Sequence, residues 1–265
     1  MRAVSLLYHD VIVSGDHEPS GFPYPTGRKY KLKKEEFLLQ MTGIHKAIPF
    51  MPVTVADLGN VSQLHELFML TFDDGGISAH THIGDVLDQY GWKAYFFVVT
   101  DYIGQPGFLN EDQIRDLRKR GHIIGTHSRS HPDRMCDGGW TRIFDEWATS
   151  ITRLSDILGA QVTSASVPGG YYSRTVAQAA ALAGVKFLFT SEPVRSSWMV
   201  DNCRVFGRYA IRSGMGPQAG VGFVRGRCWR SFKEYLFWNA RKIVKMVAPD
   251  LYIKFRTFIL RHSHG

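Results

Sequence analysis

Two stretches of the chain bring together residue types that do chemistry. From Phe68 to Gly76 an apolar segment runs into two adjacent acids, Asp73 and Asp74, and stops at Gly75 and Gly76. This reads as a buried parallel strand with the acids at its C-terminal edge, where α/β folds collect their chemistry. Neighbouring side chains at a strand end point different ways, so the two acids are expected to have different partners. One would hold a metal ion while the other moves protons. The second stretch, His122 to Pro132, reads as a short strand to Thr126 followed by His127 and His131. On a helical turn these two imidazoles would share one face. With one carboxylate they make a three-ligand metal site that keeps open positions for water and substrate. Taken singly, each stretch also fits an Asp-Gly turn with solvated acids, or a pair of exposed loop histidines.

The elements that must position these residues alternate strand and helix. Val4 to Tyr8 reads as a first strand ending at His9 and Asp10, and residues 14–31, rich in Gly and Pro, as a loop. From Lys33, Phe37, Met41, Ile44 and Ile48 recur at helical spacing. After the double aspartate come a helix near Thr81 to Tyr90, a strand from Lys93 to Val99, and a helix opened by the capping-box pair Asn110 and Gln113 and closed at Gly121. Beyond the histidine pair, Ile143, Phe144, Trp147, Ile151, Leu154 and Leu158 form a core-facing stripe. A strand over 162–167, a helix capped by Ser173 and a strand over 185–190 follow. Such alternation predicts a parallel sheet with right-handed crossovers.

Composition bounds the rest. The chain has 265 residues, 44% hydrophobic and 21% charged, which suits one barrel-sized globular domain. Three scattered cysteines imply neither a zinc spacing nor a disulfide framework. No leader peptide or membrane span is expected, and a reducing cytoplasm is the expected compartment. After residue 202 there are 13 lysines and arginines against two acids, so the net charge of +8 belongs to the tail. Residues 1–202 are accordingly expected to be the catalytic domain, and 203–265 a basic amphipathic extension. From Trp229, Phe232, Leu236, Ile243 and Val247 recur on one helical face amid basic residues. That pattern suits an anionic membrane surface, with attachment at its periphery, or a helix packed on the barrel. No nucleic-acid recognition motif accompanies the charge.

Together, the two chemical stretches resemble a known family. Thr71-Phe72-Asp73-Asp74-Gly75 and His127-Ser128-Arg129-Ser130-His131 look like the first and second motifs of the polysaccharide deacetylases, carbohydrate esterase family 4, and Lys93 to Val99 looks like that family's second strand. The resemblance extends over roughly residues 4–195 and implies a distorted (β/α) barrel, usually counted as seven-stranded. It also implies Asp74, His127 and His131 as ligands of a divalent ion, zinc being the expected one, and Asp73 as general base. Gly169, in the loop Ser166 to Gly170, would offer a backbone N–H to the tetrahedral oxyanion.

The sequence departs from the family pattern twice. Ser166 stands where the third motif has an arginine that orients the base; Arg174, Arg195 and Arg208 are alternatives from elsewhere in the chain. The late histidine that serves as general acid is also missing, since only His262 and His264 follow His131. The permuted branch, the poly-N-acetylglucosamine deacetylases, resembles this chain in a Tyr-His stretch on an N-terminal strand, here Tyr8-His9, and so points to His9 as acid. His122 lies at the wrong end of its strand for that role, while His80 and His82 are expected on the helix after the double aspartate. The implied activity is metal-dependent removal of N-acetyl groups from a saccharide or polysaccharide precursor. A non-sugar amide substrate is the alternative within that chemistry. A glycan-binding protein with impaired catalysis is the alternative outside it, motivated by the absent arginine.

Overall fold

The computed structural model describes residues 1–13, 19–23, 27–54, 67–226 and Leu236. Its strands are β1 (Ala3–Tyr8), β2 (Asp10–Ile12), β3 (Lys31–Lys33), β4 (Leu67–Phe72), β5 (Tyr95–Val98), β6 (Ile123–Thr126), β7 (Ser164–Ser166), β8 (Phe187–Phe189), β9 (Trp198–Val200), β10 (Cys203–Phe206) and β11 (Tyr209–Ala210). Its helices are α1 (Lys34–Ala47), α2 (Gly84–Gln89), α3 (Glu111–Lys119), α4 (Gly139–Leu158), α5 (Arg174–Leu182) and α6 (Ala219–Val224). Among the described residues the main sheet has nine strands in the order β11-β1-β4-β5-β6-β7-β8-β10-β9, against the seven expected. All neighbours pair in parallel except β9 on β10. The extra strands are the short pieces after residue 197, which carry no long apolar run, and β2 and β3 form a separate parallel pair inside the expected loop region.

The sheet curls into a barrel. β10 and β11 lie near opposite ends of the strand order, yet only Gly207 and Arg208 separate them in sequence. Three Cα steps span at most ~10 Å, so the two ends must approach one another. Gly207 is required at this crossing, because a Cβ there would lie 2.4 Å from the Glu192 carbonyl oxygen. The sheet continues past residue 202: β10 and β11 complete it, and α6 packs Gly220 against Ile44 of α1. The sequence from 227 onward, including the amphipathic pattern and its membrane or barrel-packing alternatives, lies outside the described residues apart from Leu236. No described helix is long and apolar enough to cross a membrane.

Period-two alternation sorts the strand side chains into two cores. Outward-facing Val4, Leu6, Tyr8, Phe68, Leu70, Phe72, Phe96 and Val98 pack under the helices. Inward-facing Ala3, Leu67, Met69, Tyr95, Phe97, Phe189 and Phe206 fill the barrel floor. Continuing the inward series by two residues gives Thr71 on β4 and then Asp73 just past its end, and Arg208 after Phe206. The same alternation sets inward Ser166 beside outward Ala165 on β7. The barrel thus holds an apolar floor and a polar upper layer, joined where Arg208 stacks 5.8 Å above the Phe97 ring.

Candidate active site

Asp73 lies on the inward face and is buried. Its carboxylate accepts from Arg208 through Nη1 at 2.7 Å and Nη2 at 2.8 Å, and from the Ser166 hydroxyl at 3.0 Å. Arg208 is fully buried and uses its whole donor fork: Nε donates to the Thr190 carbonyl, Nη1 also to the Thr71 hydroxyl, and Nη2 also to Ser166 Oγ. Burial alone would raise the Asp73 carboxyl, but the Arg208 charge and its hydrogen bonds, with His127 and His9, hold it well below the usual carboxylate range. Asp73 is therefore an ionised, oriented acceptor.

Asp74 turns away, in a left-handed conformation with φ +75°, followed by Gly75 also at φ +75°. Its Oδ1 lies 3.5 Å from His127 Nε2 and 3.7 Å from His131 Nε2. The donor atoms of these three residues all fall within 4.8 Å of one another. The histidines do not converge by sharing a helical face, as their spacing suggested. The segment after Thr126 is a loop in which Ser128 and His131 adopt φ +67° and +54°. The Ser128 amide donates to Thr126 Oγ1, and the His131 amide donates to Ser128 Oγ. Glu146, buried on α4, accepts from both the amide and the hydroxyl of Ser130. Three of the four described non-glycine residues at positive φ thus lie in the two motif loops, a concentration of strain typical of functional sites.

The donor set fits a divalent cation. His127 Nδ1 lies 2.9 Å from the Ser166 carbonyl oxygen, so Nδ1 carries the proton and Nε2 turns its lone pair toward Asp74. Burial, foremost, lowers His127 to about 3 and also lowers His131, keeping both neutral as ligands must be. Burial, then the charges of Asp73 and Asp10, push the Asp74 carboxyl well above its usual range. A cation between these donors would relieve that cost.

Residues 61–188 match the family model described as polysaccharide deacetylase. The chain carries a polysaccharide deacetylase domain. YxkH of Bacillus subtilis (strain 168) is 26% identical over 192 residues, which is 70% of this chain and 66% of that protein. The chitin deacetylase of Colletotrichum lindemuthianum is 37% identical over 68 residues, covering 25% of this chain and 27% of that protein. Among solved structures, the Streptococcus pyogenes deacetylase PplD in complex with acetate superposes with a TM-score of 0.69 at 21% identity, over 82% of this chain and 96% of that one. IcaB from Ammonifex degensii superposes with a TM-score of 0.68 at 20% identity, over 87% and 97%.

The remaining expected residues divide between this centre and its surroundings. His9 follows Tyr8, which pairs with Phe72, so His9 lies beside Asp73 in the register. Its ring stacks on Tyr30 at 4.3 Å, and its Nδ1 is buried without a hydrogen-bond partner among the described residues. Burial lowers His9 to about 4, against the opposing charge of Asp73. Gly169 occupies the turn after β7 with φ +61°. Of the three candidate arginines only Arg208 reaches the base; Arg195 donates to the Phe223 carbonyl, and Arg174 opens α5. His80 is turned aside onto Asp116 of α3 at 3.0 Å. Glu146 and Tyr30 were not foreseen. The signal for Glu146 was an acid three residues after Ile143 on the apolar face of α4; Tyr30 meets His9 only through the pairing of β2 with β3.

Proposed function

We propose that the chain is a metal-dependent deacetylase that removes N-acetyl groups from a saccharide, with Asp73 as base and His9 as acid. The observation that carries this reading is the pairing of an Arg-tethered, ionised Asp73 with the three-donor cluster beside it. A divalent ion held by Asp74, His127 and His131 would polarise the acetamide carbonyl and lower the pKa of water at that position, zinc being favoured by the two-imidazole, one-carboxylate set. Asp73 takes the proton from the attacking water, and Arg208 fixes both its orientation and its charge. The Gly169 N–H receives the developing oxyanion. His9 Nδ1 hands a proton to the departing amine. Because His9 is held mostly neutral, the proton collected by Asp73 in the neighbouring register position is the one that must reach it.

Arg208 occupies the role left open by Ser166, which removes the reason for reading the chain as catalytically impaired. The placement of His9 beside Asp73 in the register supports an N-terminal acid. The test is acetate release from N-acetylated oligosaccharides by the zinc-loaded chain, beside metal analysis. Asp73→Asn should keep about one metal ion per chain and lose ~10²–10⁴-fold in turnover, and His9→Ala should behave alike. An Asp73→Asn protein with wild-type turnover would refute the base assignment. Acetate release from simple acetamides but not from sugars would favour the non-sugar substrate.

A further inference from the structure

The chemistry above leaves one buried carboxylate beside the site unused. Asp10, immediately after His9, is only 4% exposed. Its Oδ1 accepts from the Ser20 hydroxyl at 2.5 Å and from the Ser78 hydroxyl at 2.8 Å. Ser78 Oγ in turn accepts from the Val11 amide, and Ser20 Oγ from the Ser78 amide. The carboxylate fills the space where two glycines lack side chains: a Cβ at Gly21 or at Gly76 would lie 2.0 Å from one of its oxygens. Gly21 is drawn in further by its N–H to the Gly107 carbonyl, which also accepts from Ile77. One side chain therefore gathers three segments: the strand end carrying His9, the turn from Asp74 to Ser78, and residues 20–22.

The third segment has a consequence for the metal side. Phe22 follows Gly21 directly, and its ring lies 4.9 Å from the His131 imidazole, wedged edge-on against Tyr102 at 5.0 Å and Phe108 at 5.4 Å. Placement of Phe22 against a ligand ring thus depends on the same clasp that holds the left-handed Asp74 turn.

We propose that Asp10 is a positioning residue of this site: its carboxylate clamps the His9 strand end, the Asp74–Ser78 turn and the Phe22 segment into one unit, setting metal ligands and acid relative to each other. The part concerning the acid rests on the deacetylase reading above; the part concerning the ligands does not. Asp10 touches neither ion nor substrate in this role. Buried, multiply bonded groups behind the ligands orient them, and their loss typically weakens metal binding ~10–100-fold.

The test is titration of the full-length chain with Co²⁺, read by the visible absorption of the bound ion. Asp10→Ala should weaken Co²⁺ binding at least ~10-fold and alter the band shape. Asp10→Asn, which keeps the shape and one acceptor oxygen, should recover most of both. Ser20→Ala should give a smaller change in the same direction. Wild-type affinity and spectrum in a folded Asp10→Ala chain overturn the proposal, leaving Asp10 a stability residue only. Should Asp10→Ala fail to fold, wild-type affinity and spectrum in Ser20→Ala overturn it equally. A wild-type chain that binds Co²⁺ but releases no acetate from any N-acetylated oligosaccharide defeats the deacetylase reading and leaves the Co²⁺ comparison decisive.

Discussion

One strand carries a buried histidine at each end. His122 precedes β6 and His127 follows it; their side chains are 0% and 2% exposed, and burial lowers them to about 4 and about 3. At the N-terminal end of the barrel, His122 Nδ1 accepts the Ala94 amide at 3.3 Å, and Phe96 meets its ring edge-on. The nearest acid, Asp88, lies 3.8 Å from Nε2 and is already engaged by Lys93 and Arg120. At the C-terminal end, His127 donates through Nδ1 to Ser166 and faces Asp74 with Nε2. Depth and a lowered pKa are thus common to both ends. What marks a site is a free lone pair aimed where other donors converge.

Substitutions at the two ends should separate them. The largest effect is expected from His127→Ala, which should abolish stoichiometric metal binding and reduce acetate release to background, because two ligands seldom hold zinc. Metal analysis and turnover on the same preparation check this. An unchanged metal content would erase the distinction between the two histidines.

Arg208→Lys sharpens the contrast within the upper layer. A lysine keeps the charge but loses the fork that grips both Asp73 oxygens, so turnover should fall ~10–100-fold with metal content unchanged. Since Arg208 is the chief group drawing the Asp73 carboxyl down, a weaker grip raises that pKa. The acidic limb of the kcat/KM profile should therefore move to higher pH. A limb that stays in place would show that Asp73 is not the group titrating there.

The smallest effect on chemistry belongs to His122→Leu. Turnover and Co²⁺ affinity should stay within ~2-fold, as expected for a side chain remote from the reacting atoms. Its signature is in stability. The unfolded chain binds a proton at His122 below about pH 6.5. The folded chain resists until about 4, so wild-type stability falls as pH drops across that window. Leucine does not titrate, and thermal melts of the variant should show a shallower decline there. An unchanged slope would place the acid sensitivity elsewhere.

Much of this site is written locally. The apolar run into Asp73 and Asp74, the His127 and His131 pair, the capping box at Asn110 and the stripe on α4 are short-range patterns. Which acid faces inward was not legible, because every residue of Leu67–Phe72 is buried and the run shows no polar alternation. The manner in which the two histidines meet was not legible from their spacing, because two left-handed residues and a buried Glu146 replace the helical turn that spacing suggested. Which of the three candidate arginines reaches Asp73, and what Asp10 does, were beyond local reading. Arg208 is 135 residues from Asp73 and reaches it only because the sheet curls until β10 and β11 are two residues apart. Asp10 acquires its role from glycines at 21 and 76 that leave room for a carboxylate. Strand edges and ligand types follow from side-chain periodicity along the chain. The partner of a buried charge follows from closure of the barrel, since only there do distant donors meet without water between them.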